Sequence, residues 1–391
     1  MSAAATPTPL KQAMVDNRGL WCLECGKCTA NCPIARHNGG YSPRRIMGMA
    51  LTGDDGPLTS DVSQWSCLAC GMCEPRCPAN VSFSNLLQRV RAETLPEKKS
   101  WPSCTHGGTL HALMRKMGEP EMKQDRLHWL DDDLEVAEEG EVLLFVGCAP
   151  YYSAYFQYLD ADILDSTRSA IKILNHVGIK PVLLSDERCC GHDLLWVGDN
   201  DNYRKLGTLN VEAITASGAK KVVTTCAECY RTLKLDYPRD FGRQSWSVQH
   251  ISEFIAEKVD AGEIAFNGSG TKGTVTYQDP CRLGRHSGVY DEPRTVLDNI
   301  PDVELVEMER NREGSLCCGT SSWINCDITS KQIQAARLTS AKKTGAQTLV
   351  TSCPKCRIHF KCALQDGLLA KTAAIEIKDL AVVAAEALQE G

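Results

Sequence analysis

Cysteine is the residue type best placed to do chemistry in this 391-residue chain, which carries 21 of them. Four sit in WCLECGKCTANCPIA as Cys22, Cys25, Cys28 and Cys32, followed by Pro33. The same spacing returns in SCLACGMCEPRCPAN as Cys67, Cys70, Cys73 and Cys77, followed by Pro78. The run C-x2-C-x2-C-x3-C-P puts three thiolates on one tight loop, where they can face the iron corners of a single 4Fe-4S cubane. Gly26 and Gly71 permit that loop, and the proline after each fourth cysteine turns the chain away into an expected helix. Zinc also takes CxxC pairs, but it joins two pairs rather than three close ligands and a distant fourth. One-electron transfer is the chemistry implied.

This is the bacterial ferredoxin run, and in two-cluster ferredoxins the fourth cysteine of each run ligates the other cluster. The expected ligand sets are therefore Cys22, Cys25, Cys28 and Cys77 for one cubane, and Cys67, Cys70, Cys73 and Cys32 for the other. The residues between the motifs, including PRRIMGMAL, read as helical and exceed what a minimal ferredoxin needs.

A different cysteine arrangement follows, and it occurs twice. Cys148, Cys189-Cys190-Gly191 and Cys226-x-x-Cys229 make the first copy; Cys281, Cys317-Cys318-Gly319 and Cys353-x-x-Cys356 make the second. Matching positions are offset by 133, 128 and 127 residues, the mark of a duplicated domain. A structural zinc using four of the five cysteines, or a redox dithiol at each CxxC, is the alternative use of such a set.

The elements that must position these thiols are legible around them. EVLLFVGC, KKVVTTC, TVTYQDPC and TLVTSC are short β-rich runs ending at a cysteine. STRSAIKILNHVG, NYRKLGTLNVEAITASG and TSKQIQAARLTSAKKTG are helical patterns, each closed by a glycine. Strand–helix alternation predicts parallel sheets flanked by helices. Sites in such sheets gather beyond the carboxyl ends of the strands, which is where the cysteines fall.

The doubled pattern resembles the cysteine-rich CCG domains of heterodisulfide reductase, and the N-terminal part, with YSPRRIMGMAL between its motifs, resembles that enzyme's ferredoxin-type subunit. Over about residues 18–365 the chain is similar to the ferredoxin-type and catalytic subunits fused into one polypeptide. The resemblance implies two noncubane 4Fe-4S clusters. Their ligands would be Cys148, Cys189, Cys190, Cys226 and Cys229, and Cys281, Cys317, Cys318, Cys353 and Cys356. Both sets are complete, which points to a cluster-mediated catalytic centre in these ten cysteines rather than a relay alone.

Composition bounds the rest. Net charge is −6 with no long basic run, so no nucleic-acid partner is expected. No secretory leader and no apolar run long enough for a membrane span is evident, which predicts a cytoplasmic protein, at most peripheral to a membrane complex. Gly268-Ser-Gly270-Thr-Lys-Gly273 matches G-x-G-x-x-G, but it precedes a strand instead of following one and reads as a linker. The acidic stretch 131–141 reads as a solvated linker. Cys104, Cys326 and Cys362 are left over and read as core thiols, Cys104 being the candidate exception. Arg188, Arg231, Arg282, Arg285, Lys355 and Arg357 flank the cysteine loops and could receive an anion or simply compensate charge. His192 and His286 could supply protons to product thiolates.

The expected architecture is multidomain, α+β and α/β. A helical two-cluster ferredoxin-like domain (1–95) and a linker (96–140) precede two tandem pseudo-symmetric CCG domains with parallel sheets (141–268 and 269–391). The expected function is an iron–sulfur oxidoreductase subunit of heterodisulfide reductase type. Electrons would pass from the cubanes to the noncubane clusters, which reduce or form a disulfide. A flavoprotein or other electron-donating subunit is the expected partner. The alternative is an electron-relay subunit linking a flavoprotein or membrane cytochrome to another enzyme, with no disulfide substrate. Four 4Fe-4S clusters amount to about sixteen irons per chain. Anaerobic iron and sulfide analysis is expected to find them; about eight irons with zinc would remove clusters from the CCG domains.

Overall fold

A computed structural model describes residues 8–95, 102, 104–268, 270–366 and 375–388. The chain forms two compact units, neither a continuous stretch. The first takes the N-terminal part through Met114 together with His192–Tyr203 and Gly319–Ile333; the second takes Arg115–Gly191, Arg204–Cys318 and the chain from Gln334.

The first unit is helical. Its helices start where the sequence offers caps and prolines: Thr8 accepts from the Lys11 N–H ahead of Pro9–Asp16, and Ser42 accepts from the Arg45 N–H ahead of Pro43–Leu51. The helix expected after Pro33 is present as Pro33–His37. After Pro78 the expectation fails: the chain turns through Asn80, at φ +50°, and the helix begins only at Phe83, running to Thr94. That turn lets the Ser82 N–H reach the Asn17 carbonyl, 3.1 Å away. Leu86, Leu87 and Val90 of this helix are buried, as are Leu10 and Met14 of the first. Trp65 packs with Val197 and Ile324, which arrive from the two distant chain segments.

Two parallel sheets organise the second unit. β1 (Val142–Phe145), β2 (Lys221–Thr224) and β3 (Ser247–His250) form one, in that order. β4 (Gly273–Gln278), β5 (Val303–Leu305), β6 (Thr348–Thr351) and β7 (Glu376–Asp379) form the other, in the order β5-β4-β6-β7. Val182 bridges β1 in parallel, where β5 lies against β4 in the second sheet. Each of β1, β2, β4 and β6 ends two or three residues before a cysteine, as the β-rich runs predict. Their inner residues are fully buried, as expected of strands covered on both faces. The three glycine-closed helices are Asp165–His176, Asn200–Ala216 and Ile328–Lys343, and Gly178, Gly218 and Gly345 all have positive φ. Helix Asp165–His176 packs on Leu380–Glu386, and helix Ile251–Asp260 packs on Glu292–Asp298.

The acidic stretch is not simply solvated. Asp131, Asp133 and Glu135 pair with Arg168, Lys172 and Lys180, and the Glu135 N–H donates to Asn175 at 2.9 Å. Its charges are matched to helix Asp165–His176 and the turn after it. The strand reading of residues after Gly273 holds, so the glycine motif lies outside any strand-to-helix phosphate loop. Among the described residues, no helix is long and apolar enough to cross a membrane.

Gly198 has φ +89°, and a Cβ there would lie 2.5 Å from the Arg91 backbone. Gly198→Ala is expected to cost about 2–5 kcal/mol, combining left-handed backbone with forced backbone displacement. Gly178→Ala, at positive φ but in open space, is expected to cost about 1 kcal/mol. Urea unfolding of the two variants checks the order, and equal midpoints would contradict the steric account.

Candidate metal centres

In the first unit Cys32 caps helix Pro33–His37, and its sulfur lies close to Cys67 and Cys70. Cys32, Cys67, Cys70 and Cys73 line one apolar pocket with Ile34, Tyr41, Met72 and Phe83. The chain thus brings together the four residues expected to share a cubane across two motifs. Burial pushes the thiols of Cys32, Cys67 and Cys73 up, so thiolates at these positions need compensating charge, which bound iron would supply. Cys22 neighbours Cys28, Cys25 is exposed, and the Cys77 sulfur accepts from the Val81 N–H at 3.4 Å. The first motif is the open one.

Arg91 was not legible as a site residue, yet it organises the second motif. Fully buried, its guanidinium donates to the carbonyls of Gln64 (2.7 Å), Cys67 (2.8 Å) and Trp196 (3.0 Å) and stacks over Trp65. A positive charge is thereby fixed beside Cys67. The Tyr41 hydroxyl lies against the same sulfur.

In the second unit, each CxxC occupies the first turn of a helix. Cys226 and Cys353 are N-cap residues, with Cys229 and Cys356 one turn on, in Ala227–Arg231 and Pro354–Gln365. Spacing of three puts both sulfurs of a pair on one face of the helix. Cys229 hydrogen-bonds with Cys190 and Cys226, and Cys190 also with Cys189. A Cβ on Gly147 would come within 3.0 Å of Cys229 Sγ, so the loop ending at Cys148 passes directly over this group. In the second repeat Cys356 bonds with Cys318 and Cys353, Cys318 with Cys317, and Cys317 with Cys281. Cys353 also bonds with Cys226. The two five-cysteine groups are joined at the first cysteines of their CxxC turns.

Both groups favour metal ligation over plain thiol packing. All ten cysteines are free of disulfides, and all but Cys226 and Cys281 are buried. Hydrogen bonds from Cys229 and Cys353 push Cys226 down, and those from Cys317 and Cys356 push Cys318 down, while the donating Cys229, Cys353 and Cys356 go up. One sulfur in each group is thus favoured as the thiolate, the form that binds metal. In the second repeat the five linked sulfurs exceed the four of a tetrahedral zinc site and suit a multi-iron group; in the first the sulfurs of Cys189, Cys190, Cys226 and Cys229 are linked, with the loop to Cys148 lying over Cys229.

Buried charges fix the loops. Arg126 pairs with Glu187 at 2.7 Å and donates to the Gly147 carbonyl, while Glu187 accepts from the Val146 and Gly147 N–H groups. This ties the Cys148 loop to the Cys189-Cys190 loop. Asn210 donates to the Cys189 carbonyl, and the Tyr237 hydroxyl to that of Cys190. In the second repeat Asp279, two residues before Cys281, pairs with Arg294 at 2.8 Å and accepts from the Arg312 N–H. Only the short spacing of Glu187 and Asp279 from cysteines hinted at these roles.

The flanking basic residues are engaged by the protein. Lys355 pairs with Glu228 at 2.9 Å and Arg357 with Asp165 at 2.5 Å, both bridging the two repeats; Arg231 pairs with Asp236. Arg188 pairs with Asp186, Arg285 donates to the Ser315 carbonyl, and Arg282 contacts His286. Charge compensation describes them better than an open anion site. His192 lies beside Asp193 in the first unit, whereas His359, which the sequence did not single out, has Nδ1 3.2 Å from Cys318 Sγ. Cys104 and Cys326 are exposed, so packing does not explain them; Cys362 is partly buried.

The cysteine-rich CCG domain family matches residues 142–234 and 275–361, and the 4Fe-4S dicluster domain family matches residues 20–81. The chain is 31% identical to one subunit of the dihydromethanophenazine:CoB–CoM heterodisulfide reductase of Methanosarcina barkeri, over 94% of this chain and 93% of that protein. It is 32% identical, with the same coverage, to the corresponding subunit from Methanosarcina acetivorans. It is also 26% identical to one subunit of the fumarate reductase (CoM/CoB) of Methanothermobacter marburgensis, over 92% of this chain and 71% of that protein.

Cys32→Ser is expected to remove or convert the cluster associated with Cys67, Cys70 and Cys73, with a loss of up to about four irons. EPR of the reduced protein checks this; loss confined to the Cys22, Cys25 and Cys28 signal would contradict crossed ligation.

Proposed function

Because the chain belongs to the heterodisulfide reductase family of iron–sulfur oxidoreductases, we propose that it cleaves, or in reverse forms, a disulfide between its two five-cysteine groups. Cys148, Cys189, Cys190, Cys226 and Cys229 would hold one noncubane 4Fe-4S group, and Cys281, Cys317, Cys318, Cys353 and Cys356 the other. Cys22, Cys25, Cys28 and Cys77, and Cys67, Cys70, Cys73 and Cys32, would hold two cubanes through which electrons enter. When bound, these groups supply one-electron steps; opening one S–S bond takes two electrons and two protons and yields two thiols.

The observation that carries this reading is the contact of Cys226 with Cys353. It puts equivalent cysteines of the two repeats face to face, as a substrate with two equivalent sulfurs requires. A pseudo-twofold relation between residues 141–268 and 269–391 is supported by the helix pairs, in which the last helix of each repeat packs on an early helix of the other. It is supported again by Glu228 and Lys355, the middle residues of the two CxxC turns, which pair with each other. That pair and Arg357–Asp165 hold the repeats in register. The substrate proposed is a mixed disulfide of two small thiols, by analogy with the CoB–CoM heterodisulfide in the relatives' names. His359, beside Cys318, is placed to deliver a proton on that side. The working form would be one subunit of a larger complex, cytoplasmic or peripheral to a membrane, with an electron-donating partner.

The test is to add a mixed disulfide to the anaerobically reduced protein and follow reoxidation optically. One disulfide is expected to consume two electrons and release two thiols. Cys190→Ser and Cys318→Ser are each expected to abolish this turnover, while dithionite still reduces the clusters of the first unit. Full turnover in either variant would leave only an electron-relay role.

A further inference from the structure

Eight large apolar side chains stand out as exposed among the described residues, and four of them, Val15, Leu20, Trp21 and Leu23, fall within nine residues at the first ferredoxin motif. Trp21 is 69% and Leu23 70% exposed. Isolated exposed leucines need no explanation, but an apolar cluster around a redox motif marks an interaction surface.

The second motif shows how this loop looks when covered. With the first cysteines aligned, Leu20 corresponds to Trp65 and Leu23 to Leu68, which are 2% and 3% exposed. Trp65 is covered by Val197 and Ile324, and Asn325 donates to its carbonyl. The chain has supplied that cover from the segments that join the first unit at His192–Tyr203 and Gly319–Ile333. No described segment covers Leu20, Trp21 and Leu23 in the same way.

Charge identifies the missing cover. Over residues 8–51 the exposed basic side chains are Lys11, Arg18, Lys27, Arg36, Arg44 and Arg45 against two exposed acidic ones, Asp16 and Glu24, within a chain of net charge −6; among the described residues, Arg45 alone of the six is ion-paired to a carboxylate further along, Asp61. Arg44 lies beside Gly26 of the cysteine loop itself. An excess of exposed cations in the same segment as exposed apolar side chains selects a partner with an acidic surface and an apolar contact, and speeds its encounter.

We propose that the surface formed by Leu20, Trp21, Leu23 and the exposed cations of their segment docks an acidic one-electron carrier protein, such as a ferredoxin. This rests on the reading of the first unit as the point of electron entry. At each encounter the carrier is oxidised by one electron and the group held at the first motif is reduced by one, so two encounters serve one disulfide.

Titration calorimetry of the full chain with an oxidised acidic 2[4Fe-4S] ferredoxin tests docking without turnover. Binding is expected to weaken as salt rises from low to several hundred millimolar. Trp21→Gln/Leu23→Gln is expected to weaken it about tenfold or more. Lys11→Glu/Arg44→Glu, which leaves every cysteine in place, is expected to weaken it and flatten the salt dependence. Iron content and the visible spectrum should match those of the unaltered protein. Wild-type affinity in both variants, or no binding by the unaltered protein, would overturn the proposal. Viologen-driven disulfide reduction on the same samples separates the two readings. Its absence with binding intact would defeat the disulfide chemistry alone, and its presence without binding would defeat the docking surface alone.

Discussion

A thiolate taken out of water is stable only where positive charge or hydrogen-bond donors replace the solvent, and that requirement shapes both units. In the first, Arg91 fixes its charge beside Cys67 and the Ala69 N–H donates to that sulfur. In the second, the donors come from the cysteines themselves and from helix first turns. Cys226 and Cys353 cap their helices, where backbone N–H groups and the helix dipole favour negative charge. Parallel strands deliver the chain to those positions, because their carboxyl ends leave loops free to converge while the rest of each sheet stays buried.

Ion pairs then decide how firmly the loops stay there. A buried pair seldom adds much net stability, but losing one partner strands the other charge at a cost of about 3–5 kcal/mol. Arg126–Glu187 and Arg294–Asp279 therefore act as positional constraints more than as adhesive. Glu228–Lys355 does the same between repeats. Its two residues occupy the same position in the two CxxC turns but carry opposite charges, so a sequence repeat has diverged into a complementary contact. A perfect copy would have placed like charges together.

What could be read from the sequence was whatever carries its own local signal. The strands ending at Cys148, Cys226, Cys281 and Cys353 combine β-branched runs with a cysteine, and three helices announce their ends by glycine. β3, β5 and β7 gave no such signal, being three or four residues long and partly polar at the sheet edges. The turn after Pro78 also went unread, since its tertiary bond from Ser82 to Asn17 overrides the helix preference of proline's first turn. Arg91, Arg126 and His359 were invisible because each acts on a cysteine loop from a residue without a motif. The exposed Cys326 contradicts the packing expectation for surplus thiols, whereas Cys104, also exposed, is the exception that was expected.

The composition of the first unit sets a timetable for biosynthesis. Its ferredoxin motifs end at Cys77, but the segment carrying Ile324, which closes over Trp65, is translated almost 250 residues later. At roughly 5–20 residues per second, that interval is on the order of ten to fifty seconds. Throughout it, a nascent chain carrying the eight cysteines of both motifs lacks part of its own fold. Iron and sulfide delivered early would meet an unfinished second motif, whose cover is complete only after the ribosome has passed the second Cys-Cys-Gly.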